Sequence, residues 1–165
     1  MQNKSLKQIV IAAVFAALCC AATMVIQIPS PMNGYVNLGD CIVLLSGWIL
    51  GPFYGFFAAG IGSMLADLLS GYPHYAIATF LIKGMVALCA AWICPRQKKS
   101  PVKRILSCTA GESVMVIGYF IFAAIFLGNG LSAAASIPGN IVQGIVGSIA
   151  ACILYPVLQK TNLFQ

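Results

Sequence analysis

Apolar residues run through this chain in long stretches, interrupted by proline, glycine and small clusters of charge rather than by regularly spaced polar positions. There is no sustained two-residue alternation of the kind that marks half-buried strands, and no polar face of the kind that marks a water-exposed helix. Cutting at the breaks gives six apolar segments, at about 8–27, 37–51, 52–70, 76–94, 105–127 and 138–158. The pattern therefore predicts an all-α, polytopic membrane protein, one bundle of six transmembrane helices spanning 1–165 as a single domain. The second segment is short for a crossing, so the alternative is a re-entrant hairpin and five crossings.

Composition supports lipid as the solvent. Hydrophobic residues make up 61% of the chain and charged residues 7%, with a mean hydropathy of +0.96. A water-soluble domain carries about 25% charged residues. The first segment follows Lys4 and Lys7 but runs on to Ile28, too long for the apolar core of a signal peptide, and is expected to be the first span.

Charge placement favours six crossings. Lys4, Lys7, the loop "PRQKKSPVKR" and Lys160 then fall on one side, which holds eight of the nine Lys and Arg residues and is expected to be cytoplasmic, with both termini. This asymmetry, together with anionic lipid headgroups, accounts for the +6 net charge without any nucleic-acid partner. Seven cysteines, scattered through the spans with no C-x-x-C pair, read as packing residues.

Little catalytic chemistry is available. Ser63 and His74 are the only pair open to an intramembrane protease, and three carboxylates are few for a metal-assisted hydrolase. An enzyme is not expected, and neither a cofactor nor a resident metal is implied. The informative residues are the sparse polar groups of the spans, which by default line a pathway or pocket. Asp40 and Asp67, Tyr72, His74 and Tyr75, and Asn140 all map to the outer ends of segments. Lys83 lies about 10 Å deeper on the fourth, and Gln143 shares a helix face with Asn140. Glu112 lies on the fifth segment about 10 Å from the cytoplasmic side, with Met115 and Tyr119 along the same stripe. For Lys83 the competing reading is an ion pair with Asp67; for Asp40 it is a helix-capping role.

The order "NGYVNLGD…GPFYGFFAAGIGSMLADLLSGYPHYAIATFLIKG", then "GESVMVIGYF" and "IPGNIVQGIVG", resembles the substrate-capture S component of energy-coupling factor (ECF) vitamin transporters, in the group once named for riboflavin. That resemblance implies a high-affinity vitamin-binding subunit in the cell membrane. It would join a transmembrane coupling subunit and two ATPases, hydrolysing nothing itself. It also implies a docking surface for the coupling subunit on the first helix, where Ala13, Ala17 and Ala21 form an A-x-x-x-A stripe and Ala12 and Ala16 a second register. The loop "QIPSPMNGYVNLGD", with Pro29, Pro31, Asn33 and Asn37, becomes a lid over the substrate.

For the substrate site the expected residues are Asn37, Asp67, Tyr75, Lys83, Glu112, Tyr119, Asn140 and Gln143. Aromatic faces with a few amides suit a small aromatic heterocycle, pyridoxine-like or a hydroxymethylpyrimidine. Riboflavin is the alternative within the family. A self-sufficient proton-coupled transporter, with Glu112 as the proton carrier, is the alternative outside it.

Overall fold

The computed structural model describes residues 4–30, 34–95 and 100–160, without the side chain of Lys4. Pro31 and Asn33 of the expected lid, and Arg96, Lys98 and Lys99 of the basic loop, lie outside the described residues. Five helices dominate: α1 (Lys4–Val25), α2 (Gly39–Leu69), α3 (Ala76–Ile93), α4 (Pro101–Ile121) and α5 (Ile137–Lys160). A π-helical turn, Phe122–Phe126, extends α4, and a 3₁₀ segment, Gly130–Ser136, leads into α5. Among the described residues, five helical stretches are long and apolar enough to cross a membrane. Their outward faces carry Val14, Leu18, Ile77, Leu81, Ile117 and Ile145 in the open, side chains that only lipid solvates well.

The second and third predicted segments are both inside α2, which is broken at the predicted seam. Gly51 takes φ 81° and ψ −177°, a conformation open essentially to glycine alone, and Pro52 follows, unable to continue the preceding helix. The chain turns back here. A Cβ on Gly55 would lie 2.9 Å from the Ser46 carbonyl oxygen, whereas nine residues along a straight helix span about 13 Å. α2 is thus a tight helical hairpin whose arms, 39–50 and 52–69, bring Asp40 and Asp67 back to the same half of the bundle. Gly51→Ala is expected to cost roughly 1–3 kcal/mol, read as a lower melting temperature in detergent; an unchanged transition would show that the turn tolerates a side chain.

α1 packs on the second arm of α2. A Cβ on Gly62 would overlap the Ala16 carbonyl, and Cys19 Sγ lies 3.2 Å from Ser63 Oγ. Ser63 is therefore engaged in helix contact, and His74 lies against the rings of Tyr72 and Tyr75, so the two form no catalytic pair. The core between α2 and its neighbours centres on Trp48, whose indole N–H donates to Ser107 Oγ at 3.0 Å and whose ring meets Tyr155 edge-on.

The expected lid is ordered as two short antiparallel strands, β1 (Gln27–Ser30) and β2 (Gly34–Asn37), with Gln27 opposite Asn37 and Ser30 opposite Gly34. Three side-chain bonds fasten this hairpin to the helices. Gln27 Nε2 donates to Ser70 Oγ at 2.8 Å, Tyr35 Oη to Asp67 Oδ1 at 2.6 Å, and the Asn37 backbone N–H to Gln143 Oε1 at 2.8 Å.

Candidate substrate site beneath the hairpin

The hairpin roofs a cleft of about 500 Å³, counting its open mouth. α3 and α4 build one wall by helical spacing. Tyr75, Thr79 and Lys83 follow one face of α3 at four-residue intervals, and Met115, Tyr119 and Phe122 follow the facing stripe of α4. They meet in register: Tyr75 packs on Phe122 with ring centroids 5.4 Å apart, Thr79 Oγ1 lies 3.1 Å from Tyr119 Oη, and Lys83 Nζ lies 2.9 Å from Met115 Sδ. Tyr35 and Asn37 descend from β2, Asp67 enters from the end of α2, and Asn140 and Gln143 come from the first turns of α5.

A buried ion pair closes the floor. Lys83 Nζ donates to Asp40 Oδ1, and Gln143 Nε2 donates to Asp40 Oδ2 at 2.6 Å. Lys83 also sits over the Tyr119 ring, 5.6 Å from its centroid. Asp40 is 0% exposed and Lys83 2%, so this pair is sealed from the cleft rather than presented to it. Two expectations change here. Asp40 lies deep in the bundle and not at its outer rim, because the first arm of α2 begins at the level of Lys83; and the partner of Lys83 is Asp40, not Asp67.

Of the expected site residues, Asn37, Asp67, Tyr75, Tyr119, Asn140 and Gln143 line the cleft. Lys83 supports its floor. Glu112 points elsewhere, into a groove between α4 and α5 beside Cys108, Gly144, Ser148 and Cys152. Its carboxylate is buried and has no hydrogen-bond partner among the described residues. Gln143 is also less free than its position suggested, since both ends of its amide are engaged, by Asn37 and by Asp40.

Five lining residues were not among the expected site residues: Ser30, Gly34, Tyr35, Thr79 and Ser136. Thr79 was findable, one turn from Tyr75 and one from Lys83 on a single helix face. Tyr35 sits in the lid sequence, its ring packed at 4.8 Å on that of Tyr72. Burial and the adjoining Asp67 carboxylate push its phenol above the ordinary value, so it stays a donor.

A cleft roofed by an ordered loop in a membrane bundle, with amides and tyrosines facing inward, is the layout of a small-molecule capture site. Residues 3–160 match the sequence model of a family described as the S component of ECF-type riboflavin transporters. The chain belongs to this family. As an S component it is a membrane-embedded subunit for vitamin uptake, not an enzyme. It is 37% identical over 139 residues, 84% of this chain and 92% of the relative, to an uncharacterised protein from the gap 3′ region of Pyrococcus woesei. It is 27% identical over 167 residues, covering 100% of this chain and 95% of the relative, to the thiamine precursor transporter HmpT of Lactococcus lactis subsp. cremoris. A solved structure of the S component of a bacterial ECF transporter shares the fold, with a TM-score of 0.73, 24% identity and 98% of each chain covered.

Proposed function

We propose that this S component captures a small nitrogen heterocycle of the size of a thiamine precursor, in the cleft beneath the β1–β2 hairpin, from the outer side of the cell membrane. The observation that carries this reading is that Lys83 and Gln143 both donate to Asp40 below the cleft. With the Lys83 cation engaged in the floor, the site offers tyrosine faces, amides and the Asp67 carboxyl, which suits a compact neutral or donor-bearing ring rather than an anion. The similarity to a thiamine precursor transporter supports the same class. Riboflavin is the second reading, favoured by the description of the matching family.

Six crossings with both termini cytoplasmic follow if each arm of α2 counts as one pass, which puts the basic loop before α4 and Lys160 on the same side. Delivery would use a transmembrane coupling subunit driven by two ATPases. The docking stripe fits this role: Ala13, Ala17 and Ala21 are exposed on the outer face of α1, while Ala16, in the second register, is taken up against Gly62.

Mass spectrometry of ligand co-purified with the detergent-solubilised chain tests the substrate, and a flavin in place of a pyrimidine or pyridine would decide for the second reading. Asn140→Ala tests the site. Its amide lines the cleft from α5 and makes no side-chain hydrogen bond among the described residues, and removing it should weaken binding by roughly 5- to 150-fold, about 1–3 kcal/mol, in isothermal titration. Unchanged affinity would take α5 out of the site.

A further inference from the structure

Asp67 is 4% exposed, yet it lines the cleft, and its two oxygens differ. Oδ1 accepts the Tyr35 hydroxyl at 2.6 Å; Oδ2 has no hydrogen-bond partner among the described residues. Its neighbour Thr79 lies 3.1 Å from the Tyr119 hydroxyl and is close enough to act on the Asp67 carboxyl as well, and the Lys83 ammonium is bound to Asp40. A buried polar atom without a partner costs free energy unless something supplies the bond. Asp67 lines the cleft, so a ligand that enters it is in a position to supply the bond.

Resting on the reading of this cleft as the vitamin site, we propose that Asp67 is the specificity-determining residue and that it reads an amidine edge, a ring nitrogen beside an exocyclic amine. Such an edge makes two parallel hydrogen bonds with a carboxyl group. The amine donates to the open oxygen, and the protonated ring nitrogen donates to Oδ1, which as a carboxylate oxygen has a second lone pair beside the Tyr35 bond. The match is that of a carboxylate, which only accepts, facing a protonated ring. A pyridine carrying only hydroxyl substituents has no such edge. The imide edge of a flavin sets a carbonyl oxygen on each side of its N–H and would bring acceptor against acceptor at Oδ2.

The same geometry specifies how to reverse the preference. In D67N the Tyr35 hydroxyl still needs an acceptor, which holds the amide carbonyl at the Oδ1 position and turns the amide nitrogen toward the cleft. The site then donates where it formerly accepted. That pattern complements an oxo-pyrimidine, whose carbonyl and adjacent N–H replace the amine and ring nitrogen.

Isothermal titration of the purified full chain in detergent, against hydroxymethyl aminopyrimidine, its oxo counterpart and riboflavin, tests this. The wild type should prefer the amino ligand to the oxo one by about 10- to 100-fold, and D67N should prefer the oxo ligand. Binding of the oxo form by D67N also reports that the variant is folded. A wild type indifferent to the exchange, or D67N that keeps the amino preference, overturns the role of Asp67 and leaves the substrate reading intact. Wild-type binding of riboflavin and of neither pyrimidine overturns the substrate reading itself.

Discussion

Lys83→Met is expected to destabilise the chain by roughly 3–5 kcal/mol, because it strands the Asp40 carboxylate at 0% exposure with only the Gln143 amide as a partner. Coulombic attraction inside a membrane bundle is strong, but desolvation decides the outcome: an unpaired buried charge has no water to return to. The double variant Asp40→Asn with Lys83→Met should recover most of the loss, since the asparagine carbonyl still accepts from Gln143 and no charge is left behind. Melting temperatures of the three proteins in one detergent decide the point. A double variant as unstable as Lys83→Met would mean that the lysine stem, and not the ion pair, holds the floor.

Ala17→Leu is expected to abolish vitamin uptake in cells while leaving ligand affinity of the isolated chain unchanged. Ala17 is exposed on α1, at the middle of the Ala13–Ala17–Ala21 stripe and on the opposite side of the helix from Cys19, which meets α2. Within lipid, helices associate through close backbone approach over small residues, and a leucine on that stripe holds a partner helix away. The cleft is walled by the hairpin and by α2 to α5, so binding should not register the change. Capture of the coupling subunit by an affinity-tagged Ala17→Leu chain, with normal uptake, would show the stripe to be an ordinary lipid-facing surface.

The break between Gly51 and Pro52 could be read from the sequence, because glycine followed by proline ends one helix and starts another whatever the solvent. The end of α3 and the start of α5 were legible for a similar reason, being set by Pro95 and by the beginning of the apolar run near Pro138. The hairpin was legible only as a lid. Its strands are four residues each and contain proline and glycine, so no alternation marks them as β, and their pairing depends on the helices beneath. Depth along one helix was also readable, as the placement of Lys83 below Tyr75 shows. Relative depth between helices was not. Nothing local states that the first arm of α2 starts level with Lys83, and that offset replaces Asp67 by Asp40 as its partner and leaves the Asp67 carboxyl to the cleft. The same limit applies to Glu112, whose stripe with Met115 and Tyr119 is real but turns its carboxylate toward α5 at Gly144.

The first arm of α2, residues 39–50, rises only about 18 Å, well short of a hydrocarbon core about 30 Å thick. During synthesis it is too short to settle in the bilayer alone, and Asp40 near its start adds a charge to be desolvated. It must enter together with the arm at 52–69, as one looped insertion, and Asp40 then waits for two later arrivals: Lys83 on α3 neutralises it, and Gln143 on α5 completes its shell. Biogenesis of the floor of the cleft is therefore finished only when α5 has been delivered to the membrane, and a chain truncated before α5 should be cleared by membrane quality control.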